Sequence, residues 1–562
     1  MRSKLYQENH PSYTAGLYSR AVLYQQMQKY DKAKTDFDHV AQLYLQQIVK
    51  YFPSLSEKEK TAFYKKITPV FNRYKEFLLE YYVNYKNDES VLEQLYNIQV
   101  ATKAILLNSV NKTRNRILTS GDNQLINDFN EWRSLKEQLA TYYTYSKSKL
   151  EDENINLEQL EELANEKEKQ LSASSQLFAD EFDKKAVAWQ DVRNQLSDDQ
   201  IAVELMRIER NANDNDIDSV TYIALAVSPK FAKPELVIFK NGNTLEGRYI
   251  HAYNNSVRFK RDDNYSYAAF WKPLTSLTGN FSTVFLSPDG VFNKVNVNSL
   301  FDTEKNIYLN MELNVQYLSS TRDLLEKKKA MVNNQAVLVA DPFYPNNQIA
   351  STDDLQRSFS FDAIASLPGT RKEVEYIGQL MSDKGWQVQL KEEKEATKSN
   401  VLKASPKLLH IAAHGFFLTE NAGERDFLEN PLFRSGLLLA GAGSGNSSEN
   451  NNGVLTAYEV MNMSLENTEL VVLSACETAL GDVQNGEGVY GLQRAFIVAG
   501  AKTLIMSLWK VDDTATQKLM SLFYGYWLNG MDKHEALQKA QIEMQKEYSS
   551  PYYWGAFIMI GV

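Results

Sequence analysis

Two stretches of this sequence decide its fold: KLLHIAAHGFF at residues 407–417 and ELVVLSACET at residues 469–478. Each begins as an almost uninterrupted apolar run, which is typical of a central strand in a parallel sheet that is covered on both faces. The first run predicts a strand that ends at His414 and Gly415, and the second predicts a strand that ends at Cys476. Because parallel α/β sheets place reactive groups beyond the carboxyl ends of their strands, we expect functional residues at this edge.

The chain from about residue 200 onward continues the same α/β pattern. β-rich runs alternate with helical periodicity, which predicts a mainly parallel sheet with helices on both faces. The segment STVFLSPDGVFNKV at 282–295 predicts two strands joined by a Pro-Asp-Gly turn. The glycine- and asparagine-rich segment 441–453 predicts a mobile loop. Other clear runs predict strands at 336–343, 386–393 and 502–509 and helices near 371–382 and 488–499.

The first 190 residues have a helical pattern, with almost no glycines and no β-rich runs. Residues 10–48 carry the spacing of one tetratricopeptide helix pair, in which Ala21 and Ala33 would let the two helices approach closely. A plain helical bundle is the alternative. Because one repeat cannot bury its own faces, the array is either truncated at residue 1 or completed by the helices that follow. The other positions of the pattern are Leu17, Tyr24, Tyr30, Phe37 and Val40.

A charge-rich stretch at residues 147–170 predicts a connector helix. Its leucines at three-residue steps, Leu157, Leu160 and Leu163, predict one packed face. A coiled-coil dimer is the alternative, although the apolar seam is short.

Composition limits the classes of function. The 562 residues carry a net charge of −10 and a pI of about 5.4, which disfavours non-specific binding to nucleic acid or an anionic membrane. No apolar run approaches the ~18 residues of a transmembrane helix, and no signal peptide is visible. The single cysteine excludes an internal disulfide and fits a reducing cytoplasm, so any cysteine chemistry must use Cys476.

Cys476 and His414 are residue types that peptide-bond cleavage uses. A thiol with a pKa of about 8.5 is partly thiolate near neutral pH and therefore nucleophilic, whereas an imidazole with a pKa of about 6.5 accepts and donates protons. The backbone N–H groups of Gly415 and Cys476 are candidate oxyanion donors, and Gly415 has no side chain to obstruct a substrate carbonyl. The alternative is that Cys476 is a small buried hydrophobe, the commoner role of a free cysteine.

Two other patterns predict little. The G-x-G-x-x-G pattern at 486–491 does not directly follow a predicted strand, as a dinucleotide-binding loop would. His410 and His414 would suit a metal ion on a helix, but on a strand they lie about 13 Å apart, with no Glu or Cys beside them. We interpret His410 as a core histidine and expect no cofactor and no metal.

Several motifs agree in order and spacing with a known family. The chain from about residue 200 to 562, most densely from 405 onward, resembles the CHAT protease family of caspase- and separase-like cysteine peptidases, which often follow tetratricopeptide repeats. The motifs are HIAAHGFF (410–417), PLFRSGLLLAG (431–441), GVLTAYEV (453–460), ELVVLSACETALG (469–481), GEGVYGLQRAFIVAGAKTLIMSLWKVDD (486–513) and PYYWGAFIMIG (551–561).

This resemblance implies both a fold and a site. The fold is a multidomain α + α/β protein: a tetratricopeptide-like helical region, then a caspase-like three-layer α/β/α domain with an inactive and an active half. The site is a His414/Cys476 dyad without an obligatory third carboxylate, in which the histidine mainly protonates the leaving group. The implied domains are 1–50 (repeat), 51–190 (helical region with connector), 195–335 (degenerate half) and 336–562 (active protease).

The resemblance also implies a substrate preference. SLWKVDD at 507–513 is similar to the pocket segment of separase and puts Asp513, with Asp512 beside it, where an acidic pocket residue would lie. We therefore expect cleavage after a basic P1 residue, because other substrates would leave the carboxylate unpaired. The alternative is that both aspartates only cap the helix that begins here, since aspartate is a favoured N-cap residue.

The expected protein is a cytoplasmic cysteine endopeptidase that acts on a protein substrate and is controlled through its helical region by an activating protein or effector complex. Relatives include proteases paired with bacterial pore-forming gasdermins and with RNA-guided defence effectors, and the sequence does not select among these substrates. We expect no membrane association and no direct nucleic-acid partner. The alternatives are a non-enzymatic scaffold with a dead protease domain and a small-molecule hydrolase with the same dyad.

Overall fold

The computed structural model describes most of the chain. The described residues are 11–143, 145, 147–178, 187–213, 216–239, 241–326, 333–345, 364–418, 430–442, 453–475, 478–479, 481–484, 486 and 488–562. Within them a helical, tetratricopeptide-like region is followed by a three-layer α/β/α region, which confirms the predicted fold class. No helix in these ranges is both long and apolar enough to cross a membrane.

The helical region begins with the predicted helix pair. Ala21 of α1 and Ala33 of α2 are fully buried, as close approach of two helices requires. Phe77 of α3 packs on Phe37 of α2 with ring centroids 4.7 Å apart, so the next helix continues the pair. The helices of this region are α1 (Pro11–Gln26), α2 (Tyr30–Tyr51), α3 (Glu57–Glu80), α4 (Ser90–Thr102), α5 (Ile105–Thr119), α6 (Asn123–Tyr142), α7 (Lys147–Asp152) and α8 (Leu157–Ser175).

The prediction of one connector helix over 147–170 is wrong, because α7 and α8 are separate helices. Asn154 adopts a positive φ of 56°, which interrupts the helix, and the side chain of Asn156 caps the start of α8. The predicted leucine face forms only in part. Leu157 and Leu160 are half-buried, but Leu163 is 46% exposed, and α8 buries Leu171 instead.

The α/β region is built on one sheet of eleven strands in the order β3-β2-β1-β4-β7-β18-β17-β14-β10-β8-β9. Neighbouring strands are parallel except at β1–β2, β2–β3 and β17–β18, so the mainly parallel sheet is confirmed. Small additional sheets contain β11–β13, β15–β16 and β5–β6. The strands are β1 (Gln200–Asn213), β2 (Asp216–Val227), β3 (Glu235–Phe239), β4 (Thr283–Ser287), β5 (Phe301–Asp302), β6 (Ile307–Tyr308), β7 (Asn314–Tyr317), β8 (Gln335–Pro342), β9 (Gln387–Glu393), β10 (Leu408–Ala412), β11 (His414–Phe417), β12 (Ser435–Leu438), β13 (Val454–Thr456), β14 (Leu470–Leu473), β15 (Asp482–Gln484), β16 (Gly488–Tyr490), β17 (Thr503–Ser507) and β18 (Phe557–Gly561).

Two groups of strands meet within this sheet. β1–β4 and β7 come from residues 200–317, and β8–β10, β14, β17 and β18 come from residues 335–561. The last strand of the chain joins the groups, because Ile560 of β18 pairs with Tyr317 of β7. The two predicted halves therefore share one continuous sheet, while their proposed boundaries at 195, 335 and 562 stay predictions.

Both faces of the sheet are covered. Leu409 and Ile411 of β10 pack in one apolar core, and Leu408 and Ala412 pack in another on the opposite face with α14, α18 and α19. On that second face, the N-terminal helices cover β1 and β2 instead. The helices of the α/β region are α9 (Trp189–Arg193), α10 (Gly242–Thr244), α11 (Ile250–Arg258), α12 (Ser266–Phe270), α13 (Thr275–Thr278), α14 (Pro368–Asp383), α15 (Lys398–Leu402), α16 (Ala457–Val460), α17 (Leu492–Val498), α18 (Asp513–Leu528) and α19 (Lys533–Gln545).

Two local predictions in this region are wrong. β4 is followed by a 3₁₀ helix at Gly290–Lys294 rather than by a second strand, because the Asp289 side chain accepts a hydrogen bond from the Gly290 N–H and starts that helix. The helix predicted near 488–499 begins only at Leu492, and residues 488–490 form β16 instead. Most of the glycine- and asparagine-rich segment, residues 443–452, lies outside the described residues.

Candidate active site

The two strands that decide the fold are neighbours. β10 and β14 are parallel and hydrogen-bonded, and residues 408–411 of β10 each pair with the residue 62 positions later, as Leu408 with Leu470 and Ile411 with Leu473. The ladder continues one residue further, because the Ser474 N–H donates to the Ile411 carbonyl at 2.9 Å. The carboxyl ends of both strands therefore lie side by side at one edge of the sheet.

The strand that carries His414 is shorter than predicted. β10 ends at Ala412, and His414 is the first residue of β11, which belongs to a separate antiparallel sheet. His414 pairs there with Leu438 of β12. The break at Ala413 turns the chain out of the large sheet at its carboxyl edge, and His414 is held by the smaller sheet.

The His414 ring is half-buried between two groups. Its Nε2 lies 2.8 Å from the Ala365 carbonyl oxygen, and its ring centroid lies 5.6 Å from that of Tyr344. Because a carbonyl oxygen only accepts, this contact assigns the Nε2 hydrogen and leaves Nδ1 to exchange a proton with another group. Tyr344 is held in turn, since its hydroxyl donates to the Leu438 carbonyl at 2.8 Å.

Gly415 lies at a position where its N–H is directed away from β12. The Leu418 N–H donates to the Arg434 carbonyl, so Leu418 and Arg434 form a hydrogen-bonded pair of the β11–β12 ladder. Hydrogen-bonded and non-hydrogen-bonded pairs alternate along an antiparallel ladder. Counting back from Leu418, His414–Leu438 is a hydrogen-bonded pair and Gly415–Leu437 is not. This orientation leaves the Gly415 N–H available to a group beyond the small sheet.

Cys476 lies outside the described residues, as does Glu477. The residues on either side of them are held by Ser507 at the end of β17. Its hydroxyl donates to the Ala475 carbonyl, its N–H donates to Thr478 Oγ1 at 3.1 Å, and its carbonyl accepts from Ala479 N–H at 2.8 Å. Ser507 therefore fixes both flanks of this segment to the neighbouring strand.

Asp512 and Asp513 take different positions at the start of α18. Asp512 is the N-cap residue, and its carboxylate accepts a hydrogen bond from the Ala515 N–H at 3.0 Å. Asp513 is the first helical residue and is exposed. The capping alternative thus describes Asp512, while the Asp513 carboxylate is not used for the cap.

Electrostatics connect Asp513 with His414. Partial burial raises the pKa of Asp513 above its ordinary value, and the Asp512 and Glu373 carboxylates raise it further. His414 lowers the pKa of Asp513. A Cβ atom on Gly369 at the start of α14 would lie 3.4 Å from the Asp513 Cβ. Since Ala365, just before α14, contacts the His414 ring, the same segment borders both side chains.

His410 is fully buried beneath this edge, as predicted for a core histidine. One part of that prediction is wrong, because a carboxylate does accompany it. Glu373 Oε1 lies 3.0 Å from His410 Nε2, and the Tyr524 hydroxyl lies 3.0 Å from Nδ1. Within the described ranges, no group of three or more His, Cys, Asp or Glu side chains could hold a metal ion.

The β15–β16 hairpin follows the Cys476 segment and is tied to distant parts of the chain. The Gly486 carbonyl accepts from the Ala104 N–H at 2.7 Å, and the Gly486 N–H donates to Asp289 Oδ1 at 3.2 Å. Arg434, buried just before β12, forms an ion pair with Asp482 of the hairpin. The G-x-G-x-x-G pattern therefore lies on a hairpin turn and not after a strand of the large sheet.

Sequence reasoning missed Ala365, Tyr344, Glu373 and Ser507 as neighbours of the candidate site. Ala365 contacts His414 through a backbone carbonyl, so its residue type carries no signal. Ser507 gives a weak signal, because it is the one polar side chain in the apolar run of β17 apart from Thr503 at its start. These residues could have been placed next to the site only with knowledge of the order of the strands in the sheet, which the sequence does not provide.

The architecture is a three-layer α/β/α arrangement, with two groups of strands in one sheet and a histidine just beyond the carboxyl end of β10. The CHAT domain family model matches residues 267–562, which is more than half of the chain, and the chain belongs to the CHAT-domain family.

Comparison with individual proteins gives more distant matches. The chain is 36% identical over 110 residues to tetratricopeptide repeat protein 28 of Homo sapiens and 34% identical over 110 residues to that of Mus musculus. Each match covers 19% of this chain and 4% of the relative, so the chain spans a small fraction of the curated relatives' length.

Two solved structures are similar at 10% identity. The Arg-specific cysteine proteinase gingipain R matches 57% of this chain and 75% of its own, with a TM-score of 0.33. The separase–securin complex of Saccharomyces cerevisiae matches 95% of this chain and 50% of that chain, with a TM-score of 0.38.

Proposed function

We propose that this protein is a cysteine endopeptidase in which Cys476 is the nucleophile and His414 its proton donor. The observation that supports this proposal is that β10 and β14 are neighbouring parallel strands, so their carboxyl ends lie side by side. In the sequence His414 follows the end of β10 by two positions and Cys476 follows the end of β14 by three. Loops that leave the carboxyl ends of neighbouring parallel strands border the same crevice.

The proposed reaction uses two proton transfers. The Cys476 thiolate attacks the scissile carbonyl carbon, and the oxyanion that forms accepts hydrogen bonds from backbone N–H groups, of which Gly415 is the described candidate. His414 then protonates the departing amine, so the C–N bond breaks and an acyl-enzyme remains. Water attacks the thioester, His414 takes one of its protons, and the acid product leaves with the thiolate regenerated.

The main test compares cleaved protein termini in cells that express wild type or Cys476→Ala. We expect new termini only with the wild type, because removal of the thiol removes the attacking group. A Cys476→Ala variant that produced the same termini and the same biological effect would contradict the proposal and favour the non-enzymatic scaffold. Esters hydrolysed in preference to every protein substrate would instead favour a small-molecule hydrolase.

We further propose that Asp513 pairs with a basic P1 residue and that Asp512 supports it as the helix cap. The exposed Asp513 carboxylate, set beside the segment that contacts His414, supports this assignment. A peptide library assay should show Arg or Lys at P1, and Asp513→Asn should lower kcat/KM for those substrates by about 10-fold or more. Asp512→Asn is the matched control, because asparagine is an equally good N-cap. A wild-type preference for Asp at P1 would overturn this assignment.

We also propose that the helical region controls the protease, through a protein or effector complex of the cytoplasm. Two contacts support it: Ala104 binds the hairpin turn at Gly486, and Arg114 of α5 donates to the Val498 carbonyl at the end of α17 at 3.2 Å. α17 directly follows that hairpin. A partner that displaced α5 would therefore change both contacts together.

The regulatory proposal predicts that Arg114→Gln alters basal proteolysis in the full chain. Loss of the contacts to α17 should change the partner-free rate severalfold, whereas Arg116→Gln on the same helix serves as the control. The measurement is kcat/KM on a fixed peptide, with the unfolding midpoint recorded for each variant. An unchanged rate in a folded Arg114→Gln protein would contradict control through this contact.

A further inference from the structure

Ser507, the last residue of β17, is a polar residue at the end of a strand whose centre is apolar. β17 is the neighbour of β14 in the large sheet, and the two strands are parallel. Ser507 is fully buried, as are the three residues before it, Leu504, Ile505 and Met506. A buried hydroxyl costs free energy unless it is hydrogen-bonded, so the contacts of this side chain define its role.

The hydrogen-bonding groups of Ser507 are used on the residues that flank positions 476–477. Its hydroxyl donates to the Ala475 carbonyl and lies 3.4 Å from the Thr478 backbone nitrogen. Its N–H donates to Thr478 Oγ1 at 3.1 Å, and its carbonyl accepts from the Ala479 N–H at 2.8 Å. One buried oxygen therefore contacts the carbonyl before these two positions and the N–H after them.

These contacts are closed to solvent. Ala475, Thr478 and Ala479 are each 2% exposed, and Ser507 is 0% exposed. Because these residues are buried, bulk water does not compete with the Ser507 hydroxyl for the Ala475 carbonyl. The orientation of that carbonyl therefore depends on the Ser507 side chain.

The Ala475 carbonyl belongs to the same planar peptide unit as the N–H of Cys476. In a trans peptide unit these two groups point in opposite directions. The Ser507 hydroxyl holds the carbonyl on the side of β17, so the N–H would point away from β17, towards β10 on the other side of β14. That is the side on which His414 follows β10.

We propose that Ser507 is a positioning residue of the oxyanion hole: its hydroxyl, by holding the Ala475 carbonyl, aims the Cys476 N–H at the oxyanion of the tetrahedral intermediate. This inference rests on the proposed protease function and adds to it a residue that is itself buried. Thr478 acts with Ser507, because its Oγ1 accepts the Ser507 N–H. An aimed donor matters most in the transition state, when the carbonyl oxygen becomes charged, and much less in the bound substrate.

The first test measures kcat and KM of Ser507→Ala in the full chain, on the preferred peptide. We expect kcat to fall about 10- to 100-fold and KM to change less than about twofold, because the lost alignment affects the transition state alone. Removal of a whole oxyanion donor costs about 10²–10³-fold in kcat, and a misaligned donor should cost less. A folded Ser507→Ala enzyme with wild-type kcat would overturn the proposal.

Two thiol reagents separate the oxyanion from the thiol itself. Because Cys476 is the single cysteine of the chain, iodoacetamide alkylation reports on its thiol alone. Alkylation displaces iodide at a saturated carbon and forms no oxyanion, so its rate in Ser507→Ala should stay within about twofold of wild type. A peptide aldehyde adds the thiol to form a tetrahedral hemithioacetal, so its inhibition constant should rise by the factor by which kcat/KM falls. Equal losses in alkylation and aldehyde binding would show a displaced thiol and overturn the proposal.

Thr478 provides a second pair of variants. Thr478→Val keeps the shape of the side chain but removes the acceptor of the Ser507 N–H, and should lower kcat about 10-fold. Thr478→Ser retains the hydroxyl and should stay within about threefold of wild type. Equal losses in both variants would assign the effect to the packing of the methyl group and would contradict a role for this hydrogen bond.

The matched control is Thr468→Val, two residues before β14 begins and thus at its opposite end. Its fully buried hydroxyl donates to the Pro406 carbonyl at 2.6 Å. Thr468→Val should lower the unfolding midpoint about as much as Ser507→Ala does, yet leave kcat unchanged. An equal fall of kcat in both variants would assign the effect to general destabilisation and overturn the proposal.

Cys476→Ala, measured in parallel, separates this inference from the proposed function. An active Cys476→Ala protein would contradict the protease function itself and, with it, the role of Ser507. An inactive Cys476→Ala protein beside fully active Ser507→Ala and Thr478→Val enzymes would leave the protease function intact and overturn only the role of Ser507.

Discussion

Parallel strands of the two groups are bordered by very different polar groups at the point where their pairing ends. In the first group, the pairing of the parallel strands β1 and β4 ends with Glu204 opposite Ser287, both fully buried. Lys103, just after α4, inserts its ammonium here, 3.0 Å from Glu204 Oε2 and 3.1 Å from the Ser287 carbonyl. The other Glu204 oxygen accepts from the N–H of Thr321 at 2.6 Å.

In the second group, the strands β10 and β14 end beside His414 and the residues that Ser507 binds. His414 is half-buried, and its ring nitrogen Nε2 contacts the Ala365 carbonyl oxygen. The chain also leaves the sheet here, because β11 starts a separate sheet only two residues after β10 ends.

The difference between the two groups lies in the contribution of the helical region to the sheet edge. Its Lys103 closes the first edge with a buried ion pair, and buried charges are tolerated only when they are paired and hydrogen-bonded. The second edge has no such plug among the described residues. We call the first the closed edge and the second, which carries His414, the open edge.

The largest effect should come from the open edge. His414→Gln should lower proteolysis by about 10²–10⁴-fold, because the leaving amine loses its proton donor. The unfolding midpoint should stay nearly constant, since the half-buried ring has few partners. The measurement is kcat/KM on the preferred peptide together with thermal unfolding, with His251→Gln as an exposed histidine control. A folded His414→Gln enzyme with wild-type activity would remove His414 from the mechanism.

The strands that border this site could be predicted from the sequence, because their apolar residues form continuous runs. The apolar runs of β10 and β14 are visible because both faces of these strands are buried, and the same holds for β17. The start of α18 is visible because Asp512 is a typical N-cap residue.

The remaining features depend on tertiary contacts that leave no local pattern. The run KLLHIAAHGFF is continuous in hydropathy, yet β10 and β11 belong to different sheets, because β12 and not β14 pairs with His414. Glu373 reaches His410 from α14, and Lys103 reaches Glu204 across 101 positions of the chain. A charged residue in a helical pattern predicts solvent exposure, so neither buried pair could be anticipated.

The next effect should come from the closed edge. Lys103→Met should lower the free energy of unfolding by about 3–5 kcal/mol, because Glu204 would remain buried without its cation. Urea denaturation of the full chain measures this. The double variant with Glu204→Gln should be less destabilised than the sum of the single variants, since the uncompensated charge is removed. Additive losses would mean that the two groups do not act as a pair.

A smaller effect should follow at the open edge from Tyr344→Phe. This change removes the hydrogen bond to the Leu438 carbonyl and should cost about 1 kcal/mol of unfolding free energy. Because Tyr344 packs beside the His414 ring, kcat should fall more than KM rises if the ring's position matters for proton transfer. An unchanged kcat would show that the small sheet alone orients His414.

The last effect concerns pH at the closed edge, where Asp323 accepts the Ser320 N–H at 3.0 Å. Burial and the neighbouring Glu326 carboxylate raise the pKa of Asp323 to about 7, from 3.8. A carboxyl whose pKa is raised by folding stabilises the native state when protonated, and that contribution is lost as pH rises from about 4 through 7. Asp323→Asn mimics the neutral form, so the variant should match wild type near pH 4 and be more stable than wild type at pH 8. Urea midpoints of both proteins across this range provide the measurement, and a difference that does not change with pH would show that Asp323 ionises equally in the folded and unfolded chains.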